Sequence, residues 1–227
     1  MLESPIMRLL LASSSPRRQE LLGFGGWSFD VIPAKIDETP LPEEPPRAYV
    51  LRMAIEKARV AGERAPSDSL VLGADTAVID MTPFGEQILG KPVDEADAED
   101  MLRQLRGHVH QVYTAVAVLR LKDGALIHDV CITDVPMRDY TDAEILEYVA
   151  SGDPMDKAGA YAIQNEDFHP VERLEGCYAN VVGLPVCHVS RLLKQFGMPA
   201  PVKTVEVCGS QLGYACLFSE QVQKDSD

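Results

Sequence analysis

MRLLLASSSPRRQELL, residues 7–22, has the pattern of a buried strand, a serine-rich turn and the start of a helix. The apolar run before the serines predicts the strand, and the residues after the arginines predict a short helix that ends at Gly23. Ser15 suits the N-cap of this helix, and Pro16 suits its first position. Strand-like and helix-like segments continue to alternate along the chain, so the sequence predicts an α/β fold.

Two adjacent arginines, Arg17 and Arg18, occupy the first turn of this helix. The N-terminus of a helix carries partial positive charge and unpaired N–H groups, so each cation there costs about 0.3–1 kcal/mol. A bound anion would remove the conflict, because the N–H groups, the serine hydroxyls and both guanidinium groups could contact it together. The alternative is a pair of solvated arginines on a surface turn, and these residues alone do not decide between the two.

Apolar periodicity, capping residues and glycine stops predict the remaining elements. Helices are predicted over residues 46–61, 94–106, 141–152 and 185–197. Strands are predicted over residues 27–33, 69–79, 112–121, 125–135 and 178–184, and residues 153–164 are predicted as a loop that runs into a strand.

Bulk composition favours one large domain or one domain with an appendage. The chain has 227 residues, of which 46% are hydrophobic and 25% are charged, and this length supports a core of useful size. The pattern weakens beyond Met198, so we divide the chain into a domain at residues 1–197 and an extension, packed or partly disordered, at residues 198–227.

Charge limits the classes of partner. The formal net charge is −14, which argues against nonspecific binding to nucleic acid or to an anionic membrane. In such an acidic protein, a local cluster of cations indicates one specific small anion rather than a basic surface.

Targeting signals and cysteine usage favour the cytoplasm. The apolar run near Leu9 is too short for a signal peptide, and no stretch approaches the roughly 18 apolar residues of a membrane span. The chain has five cysteines and no C-x-x-C motif. We therefore expect reduced thiols that fill the core, in a cytoplasmic protein.

Two charged residues interrupt apolar patterns. Asp75 lies within the apolar strand at residues 69–79, and a buried carboxylate is costly unless it is paired, binds a metal or faces a cleft. At a cleft it could hold a divalent cation or accept a proton from water; the alternative is a structural aspartate bonded to neighbouring backbone. Lys57 lies on the apolar stripe of the helix at residues 46–61, and there the alternative is a lysine that snorkels from the edge of the stripe.

These residues belong to a larger set that suits phosphoanhydride hydrolysis. Cations neutralise phosphate oxygens, while carboxylates hold Mg²⁺ or position water. The candidate cations are Arg17, Arg18, Lys57, Lys91 and Lys157, and the candidate carboxylates are Glu38, Asp75 and Asp156. Competing motifs are absent, since the chain has neither a P-loop nor a dinucleotide fingerprint. The His108-x-His110 pair could bind a metal, but a strand-edge or surface position is favoured.

Seven stretches, in this order, resemble the Maf family of nucleoside triphosphate pyrophosphatases over about residues 7–197. Each is weak alone, but their order and spacing make the resemblance specific. They are residues 13–18 (SSSPRR), 37–38 (DE), 73–76 (GADT), 90–92 (GKP), 113–116 (YTAV), 156–164 (DKAGAYAIQ) and 182–185 (VGLP).

The resemblance implies an elongated, mixed-sheet α/β fold with a central substrate cleft, akin to the inosine-triphosphate pyrophosphatases. It implies hydrolysis of a nucleoside triphosphate to the monophosphate and pyrophosphate with a divalent metal, Mg²⁺ or Mn²⁺. By matching positions, Asp75 would accept the proton, and Glu38 would assist with metal or water. The triphosphate would be held by Ser15, Arg17, Arg18, Lys57 and Lys91, with Asp156 and Lys157 as further substrate-binding candidates, and substrate choice would involve Arg17, Thr76 and Gln164.

The combination looks like the subgroup directed at dTTP and UTP, with modified pyrimidine triphosphates as further candidates. The sister subgroup, directed at 7-methyl-GTP, typically has tryptophan at the position of Arg17 and glutamine at that of Thr76. The side-chain amide of Gln164 can both donate and accept hydrogen bonds, as pairing with the edge of a pyrimidine base requires. The chain departs from the family at Ala162, where glycine is usual and the base pocket could be narrower, and in its long C-terminal extension.

Two functions therefore stay open at this stage. One is a house-cleaning enzyme that removes pyrimidine triphosphates. The other is a nucleotide-binding regulator of cell division, which the resemblance also implies. The sequence also leaves open whether the protein forms a homodimer.

Overall fold

A six-stranded mixed sheet organises the computed structural model, which describes residues 7–214 and residue 216. The strand order is β2-β1-β3-β5-β6, and β4 pairs with the far end of β3. β1 is parallel to β2 and β3, and the remaining pairs are antiparallel. The strands are β1 (Arg8–Leu11), β2 (Phe29–Val31), β3 (Ser69–Thr82), β4 (Gly85–Leu89), β5 (Val109–Arg120) and β6 (Ala125–Pro136).

In the described residues, three α-helices connect strands, and four further α-helices and two 3₁₀ turns follow β6. The α-helices are α1 (Pro16–Gly23), α2 (Pro46–Gly62), α3 (Glu95–Leu105), α4 (Asp142–Ala150), α5 (Tyr178–Val182), α6 (Val186–Gln195) and α7 (Thr204–Leu212). The 3₁₀ turns are Asp153–Asp156 and Ala158–Ala160. None of the helices within the described residues has the length and apolar character needed to cross a bilayer.

Side chains alternate between the two faces of β3, and each face packs on different helices. Leu70, Leu72 and Ala74 pack in one cluster with the buried residues of α1 and α6. Val71 packs against Ala58 of α2 in another. The mixed α/β architecture confirms the predicted fold class.

Gly73 explains why α2 lies so close to β3. A Cβ atom at Gly73 would lie 2.1 Å from the carbonyl oxygen of Ala54 and 2.8 Å from the amide nitrogen of Ala58, so only glycine fits. This approach places one turn of α2 against the middle of β3. Lys57 and Asp75 both belong to that contact.

Two predicted strands are wrong. Residues 178–184 contain α5, which ends at Gly183 with φ of 127°. A short apolar run has no periodicity that separates a strand from a buried helical turn. Residues 153–164 form the two 3₁₀ turns followed by coil, and they do not run into a strand. Gly159, with φ of 68°, donates from its N–H to the carbonyl oxygen of Gly90 at 3.0 Å and anchors this loop.

The C-terminal extension contains a helix, α7, that the sequence pattern did not predict. Cys208 and Leu212 of α7 pack against the apolar cluster formed by α1, α6 and the sheet. Of the predicted extension, residues 215 and 217–227 lie outside the described residues. The division at residue 197 stays a prediction. Cys131, Cys177, Cys187 and Cys208 are thiols rather than disulfides, as expected.

Candidate active site

A cavity of about 640 Å³ opens between the serine-rich turn, the middle of β3, the loop at residues 156–164 and the end of α5. Its size is typical of small-molecule sites. The cavity is lined by all of the site residues predicted from the sequence, namely Ser15, Arg17, Arg18, Glu38, Lys57, Asp75, Thr76, Lys91, Asp156, Lys157 and Gln164. These residues therefore converge in space, while the role of each stays a prediction.

The N-terminus of α1 forms one wall of this cavity. The Ser15 hydroxyl accepts a long hydrogen bond, 3.4 Å, from the N–H of Arg18, as the predicted N-cap requires. The Ser13 hydroxyl accepts from the N–H of Ser15 at 3.2 Å. Ser13 and Ser14 also line the cavity but were not predicted as site residues. Since the first turn of α1 contains no acidic side chain, its positive end faces the cavity without a carboxylate of its own.

The two adjacent arginines have different environments. Arg18 is half-buried, and it donates from Nε to the carbonyl oxygen of Gly183 at 2.9 Å and from Nη2 to the Thr76 hydroxyl at 3.1 Å. Burial lowers the pKa of Arg18, and the charge of Asp75 opposes that shift. Arg17 also lines the cavity, with Nη2 3.6 Å from Oδ2 of the exposed Asp156. The surface-turn alternative is therefore wrong for Arg18, which is fixed toward the cavity.

A buried hydrogen-bond chain holds Thr76, the acceptor of Arg18. The Thr114 hydroxyl donates to the carbonyl oxygen of Asn180 at 3.0 Å and lies 2.9 Å from the Thr76 hydroxyl. Because the Thr114 hydrogen is used in this way, Thr76 donates to Thr114 and accepts from Arg18. The Asn180 amide in turn donates to the carbonyl oxygen of Val112 and to the Thr133 hydroxyl, each at 2.9 Å.

Sequence reasoning missed Thr114 and Asn180 as parts of the site. Thr114 is fully buried within β5. A signal was available, because Thr114 is a polar residue inside an apolar strand, just as Asp75 is. The role of Asn180 depends on α5, which the sequence pattern misassigned as a strand.

Lys57 joins two carboxylates at the centre of the cavity. Its Nζ lies 2.6 Å from Oδ1 of Asp75 and 2.6 Å from Oε1 of Glu38. Lys57 and Asp75 are buried, whereas Glu38 is exposed. The snorkelling alternative for Lys57 is therefore wrong, since its charged end points into the protein and is paired there.

The two carboxylates have pKa values shifted in opposite directions. Burial raises the pKa of Asp75, and the charges of Lys57 and Arg18 oppose that rise. For Glu38, partial burial would raise the pKa, but the hydrogen bond and charge of Lys57 outweigh it and leave the pKa lowered. Glu38 is therefore the carboxylate that more readily stays ionised, while the role of Asp75 as a proton acceptor stays a prediction.

Another part of the cavity lining is formed by the loop at residues 156–164. Lys157 lies 2.9 Å from Oδ1 of Asp153 and 2.7 Å from Oδ1 of Asp156, so carboxylates already surround its charge. Lys91 and Gln164 are exposed residues of the cavity lining. Ala162, the departure from the family pattern, also lines the cavity.

The His108-x-His110 pair lies elsewhere and has other partners. Nε2 of His108 lies 3.1 Å from Oδ1 of Asp80. His110 is buried rather than at a strand edge, with Nε2 2.8 Å from the Tyr161 hydroxyl. Among the described residues, no group of three or more histidine, cysteine, aspartate or glutamate side chains is arranged to hold a metal ion.

The fold and the cavity define an α/β protein with an electropositive helix N-terminus beside a buried, lysine-paired carboxylate. A family model described as Maf-like protein matches residues 8–196, and the chain belongs to that family.

Named relatives cover most of the chain. The dTTP/UTP pyrophosphatase of Anaeromyxobacter dehalogenans (strain 2CP-C) is 50% identical over 197 residues, which are 86% of this chain and 96% of that protein. The dTTP/UTP pyrophosphatase of Geobacter sulfurreducens is 48% identical over 191 residues, which are 84% and 97%. Among solved structures, a HAM1 protein from Coxiella burnetii is similar with a TM-score of 0.43 and 16% identity, over 70% of this chain and 89% of that one.

Proposed function

We propose that this protein is a nucleoside triphosphate pyrophosphatase that hydrolyses dTTP and UTP to the nucleoside monophosphate and pyrophosphate. The observation that carries the proposal is that Asp75 and the electropositive end of α1 with Arg18 line one cavity. The relatives named dTTP/UTP pyrophosphatases support the choice of substrate. A house-cleaning role toward modified pyrimidine triphosphates belongs to the same proposal.

The triphosphate would lie against the N-terminus of α1. The positive end of α1, the Ser15 hydroxyl and the two arginines present donors and positive charge on one side. Lys91 adds a cation on another side of the cavity. These groups would neutralise the phosphate oxygens and hold the chain in place for attack, which supplies much of the catalysis in phosphoryl chemistry.

Asp75 would act as the general base. A water oxygen forms a bond to the α-phosphorus, the bond from that phosphorus to the α–β bridging oxygen breaks, the bridging oxygen leaves with pyrophosphate, and the water proton goes to the Asp75 carboxylate. The raised pKa of Asp75 suits this role, because a base with a pKa nearer the working pH is more effective. Lys57 keeps the carboxylate oriented and favours its ionised form.

The residues present fit a divalent cation. Asp75 and Glu38 supply hard oxygen ligands on the same side of the cavity, since one ammonium contacts both. Mg²⁺ typically binds one or two carboxylates together with substrate phosphate oxygens and water, and so it needs no larger protein cage. When bound, Mg²⁺ or Mn²⁺ would neutralise charge on the phosphate oxygens.

Base choice would depend on groups at the two ends of the cavity. Gln164 presents an amide that can donate and accept, as the edge of thymine or uracil requires. Thr76 is already fixed by Thr114 and Arg18. Arg17 also lines the cavity, where its charge can contact either phosphate or base.

Pyrophosphate release from a panel of triphosphates tests the proposal. Wild-type protein with Mg²⁺ or Mn²⁺ should release pyrophosphate from dTTP and UTP faster than from CTP, ATP or GTP. Binding of dTTP without release of pyrophosphate from any member of the panel would overturn it and favour the nucleotide-binding regulator instead.

A further inference from the structure

The C-terminal segment, residues 198–214, lies outside the part of the chain matched by the family model, which ends at residue 196. It nevertheless packs closely on the body of the protein. A Cβ atom at Gly26 would lie 2.9 Å from Cγ of Pro201, and Cys208 and Leu212 contact the apolar core. The last side chains of this segment can therefore contact the body of the protein.

Tyr214 is the residue through which this segment contacts the loop before α5. Its hydroxyl donates to the carbonyl oxygen of Leu174 at 2.7 Å and accepts from the N–H of Gly176 at 3.2 Å. One phenol thus pairs two backbone groups of the loop, which here belong to neither a helix nor a strand. A loop with so few backbone partners depends strongly on each of them.

The same tyrosine also contacts α5. The ring of Tyr214 packs on the ring of Tyr178 with centroids 5.6 Å apart and planes inclined by 35°. Tyr178 begins α5, and its hydroxyl lies 3.5 Å from the carbonyl oxygen of Ile163. The contact therefore reaches both the helix and the loop that form one side of the cavity.

These contacts end at residues that line the cavity. Ile163 and its neighbour Gln164 belong to the lining, as do Val182 and Gly183 at the end of α5. Gly183 also accepts the hydrogen bond from Nε of Arg18. A shift of the loop at residues 174–178 would consequently move the part of the cavity lining formed by residues 163–164 and the end of α5.

We propose that Tyr214 is a positioning residue, which fixes the wall formed by residues 163–164 and α5 and so sets nucleotide affinity and base preference. The inference rests on the proposed function, since it concerns the base end of the same cavity. Tyr214 does not line the cavity, so its effect is expected on substrate binding and not on bond cleavage.

Tyr214→Phe tests this directly, because it removes both hydrogen bonds and keeps the ring. Expected results are faster hydrogen exchange at the amide of Gly176, KM for dTTP raised roughly three- to tenfold if part of the free energy of the two lost hydrogen bonds is transmitted to the cavity, and kcat within about twofold. The ratio of kcat/KM for dTTP to kcat/KM for purine triphosphates should fall. Lys203→Ala is the matched control, since it removes an exposed ion pair with Glu206 on the same segment, and it should leave every value unchanged.

Two outcomes would overturn the inference: unchanged KM and preference despite faster exchange at Gly176, or a loss of kcat at constant KM. Dissociation constants for dTTP and GTP, measured without turnover, keep the test valid if wild-type protein releases no pyrophosphate. In that case the proposed function fails. The positioning role is still supported if Tyr214→Phe binds dTTP more weakly than wild-type protein and discriminates less between dTTP and GTP. An unchanged dissociation constant for both nucleotides contradicts it.

Discussion

Lys57 of α2 donates a hydrogen bond to Asp75 of β3, with Nζ 2.6 Å from Oδ1, inside a buried contact between the two elements. The close approach at Gly73 makes this pairing geometrically available. Both partners are buried, so each compensates for the desolvation of the other. The pair therefore connects the packing of the fold with the chemistry proposed for the cavity.

Asp75→Asn should abolish hydrolysis and leave nucleotide binding in place. The amide keeps the shape of the side chain but cannot accept a proton from water, and loss of a general base costs about 100- to 10,000-fold in rate. Pyrophosphate release and the dissociation constant for dTTP measure the two effects separately. Asp80→Asn is the matched control, because Asp80 is a buried aspartate of the same strand that contacts Gln104 and His108 instead of the cavity. Equal activity losses in both variants would contradict the assignment of Asp75.

The pH dependence of kcat/KM should show an acid limb above pH 3.8, the ordinary pKa of an aspartate. Burial raises the pKa of Asp75, and activity requires its deprotonated form, so activity rises as pH increases through that raised pKa. The Lys57 charge lowers this pKa, whereas the Glu38 charge raises it. Lys57→Met should therefore move the limb to higher pH and Glu38→Gln to lower pH. If the acid limb moves in the same direction in both variants, the assignment of Asp75 as the titrating base is refuted, whatever the absolute rates.

Local patterns were sufficient to predict most of the elements that carry the site. The apolar run of β3 and the apolar stripe of α2 are local patterns that the sequence shows directly. Each is interrupted by one charged residue, Asp75 in β3 and Lys57 in α2. Their contact was not predictable, because it depends on the approach of Ala54 to Gly73, which no periodicity encodes. The family resemblance implied a central cleft, but convergence of the site residues could not be read from the residues themselves, and only the structure gives their distances.

The misassigned elements share a physical cause. α5 has only five residues, of which Ala179 and Asn180 are buried, and it is stabilised by tertiary contacts such as those of Asn180 with β5 and β6. α7 contains two valines, a threonine and Gly209, which are weak helix formers. In both segments packing on the body overrides local propensity, so sequence periodicity alone could not identify them.

Gly73→Ala should destabilise the fold strongly. A Cβ atom 2.1 Å from the carbonyl oxygen of Ala54 forces α2 away from β3, and overpacking of this kind costs about 1–3 kcal/mol or more. Activity should fall with stability, because the Lys57–Asp75 contact widens. Chemical denaturation measures the free energy of unfolding. Gly23→Ala is the control, since nothing lies within 4 Å of a Cβ at that position, and a comparable loss there would argue against the steric explanation.

Thr114→Val should weaken substrate use with little change in shape. The valine removes the hydroxyl that accepts from Thr76 and donates to the carbonyl oxygen of Asn180. Thr76 and, through it, Arg18 then lose part of their orientation, and kcat/KM should fall roughly three- to tenfold. Thr114→Ser keeps the hydroxyl and should recover most of the activity. If the serine variant is as impaired as the valine variant, packing of the methyl group matters more than the hydrogen bonds.

Arg17→Ala should raise KM for dTTP with almost no effect on stability. Arg17 contacts only the exposed carboxylate of Asp156 among its polar neighbours in the described residues, so the free energy of unfolding should change by about 0.5 kcal/mol or less. A charge-assisted contact with substrate is worth more, so KM should rise about tenfold or more. Arg18→Ala should lower both activity and stability, because it also removes the hydrogen bonds that the guanidinium donates to Gly183 and Thr76. Thermal unfolding without nucleotide and initial rates with dTTP separate the two effects. A large loss of melting temperature in Arg17→Ala, with KM unchanged, would make that arginine a structural residue and leave Arg18 as the arginine that binds phosphate.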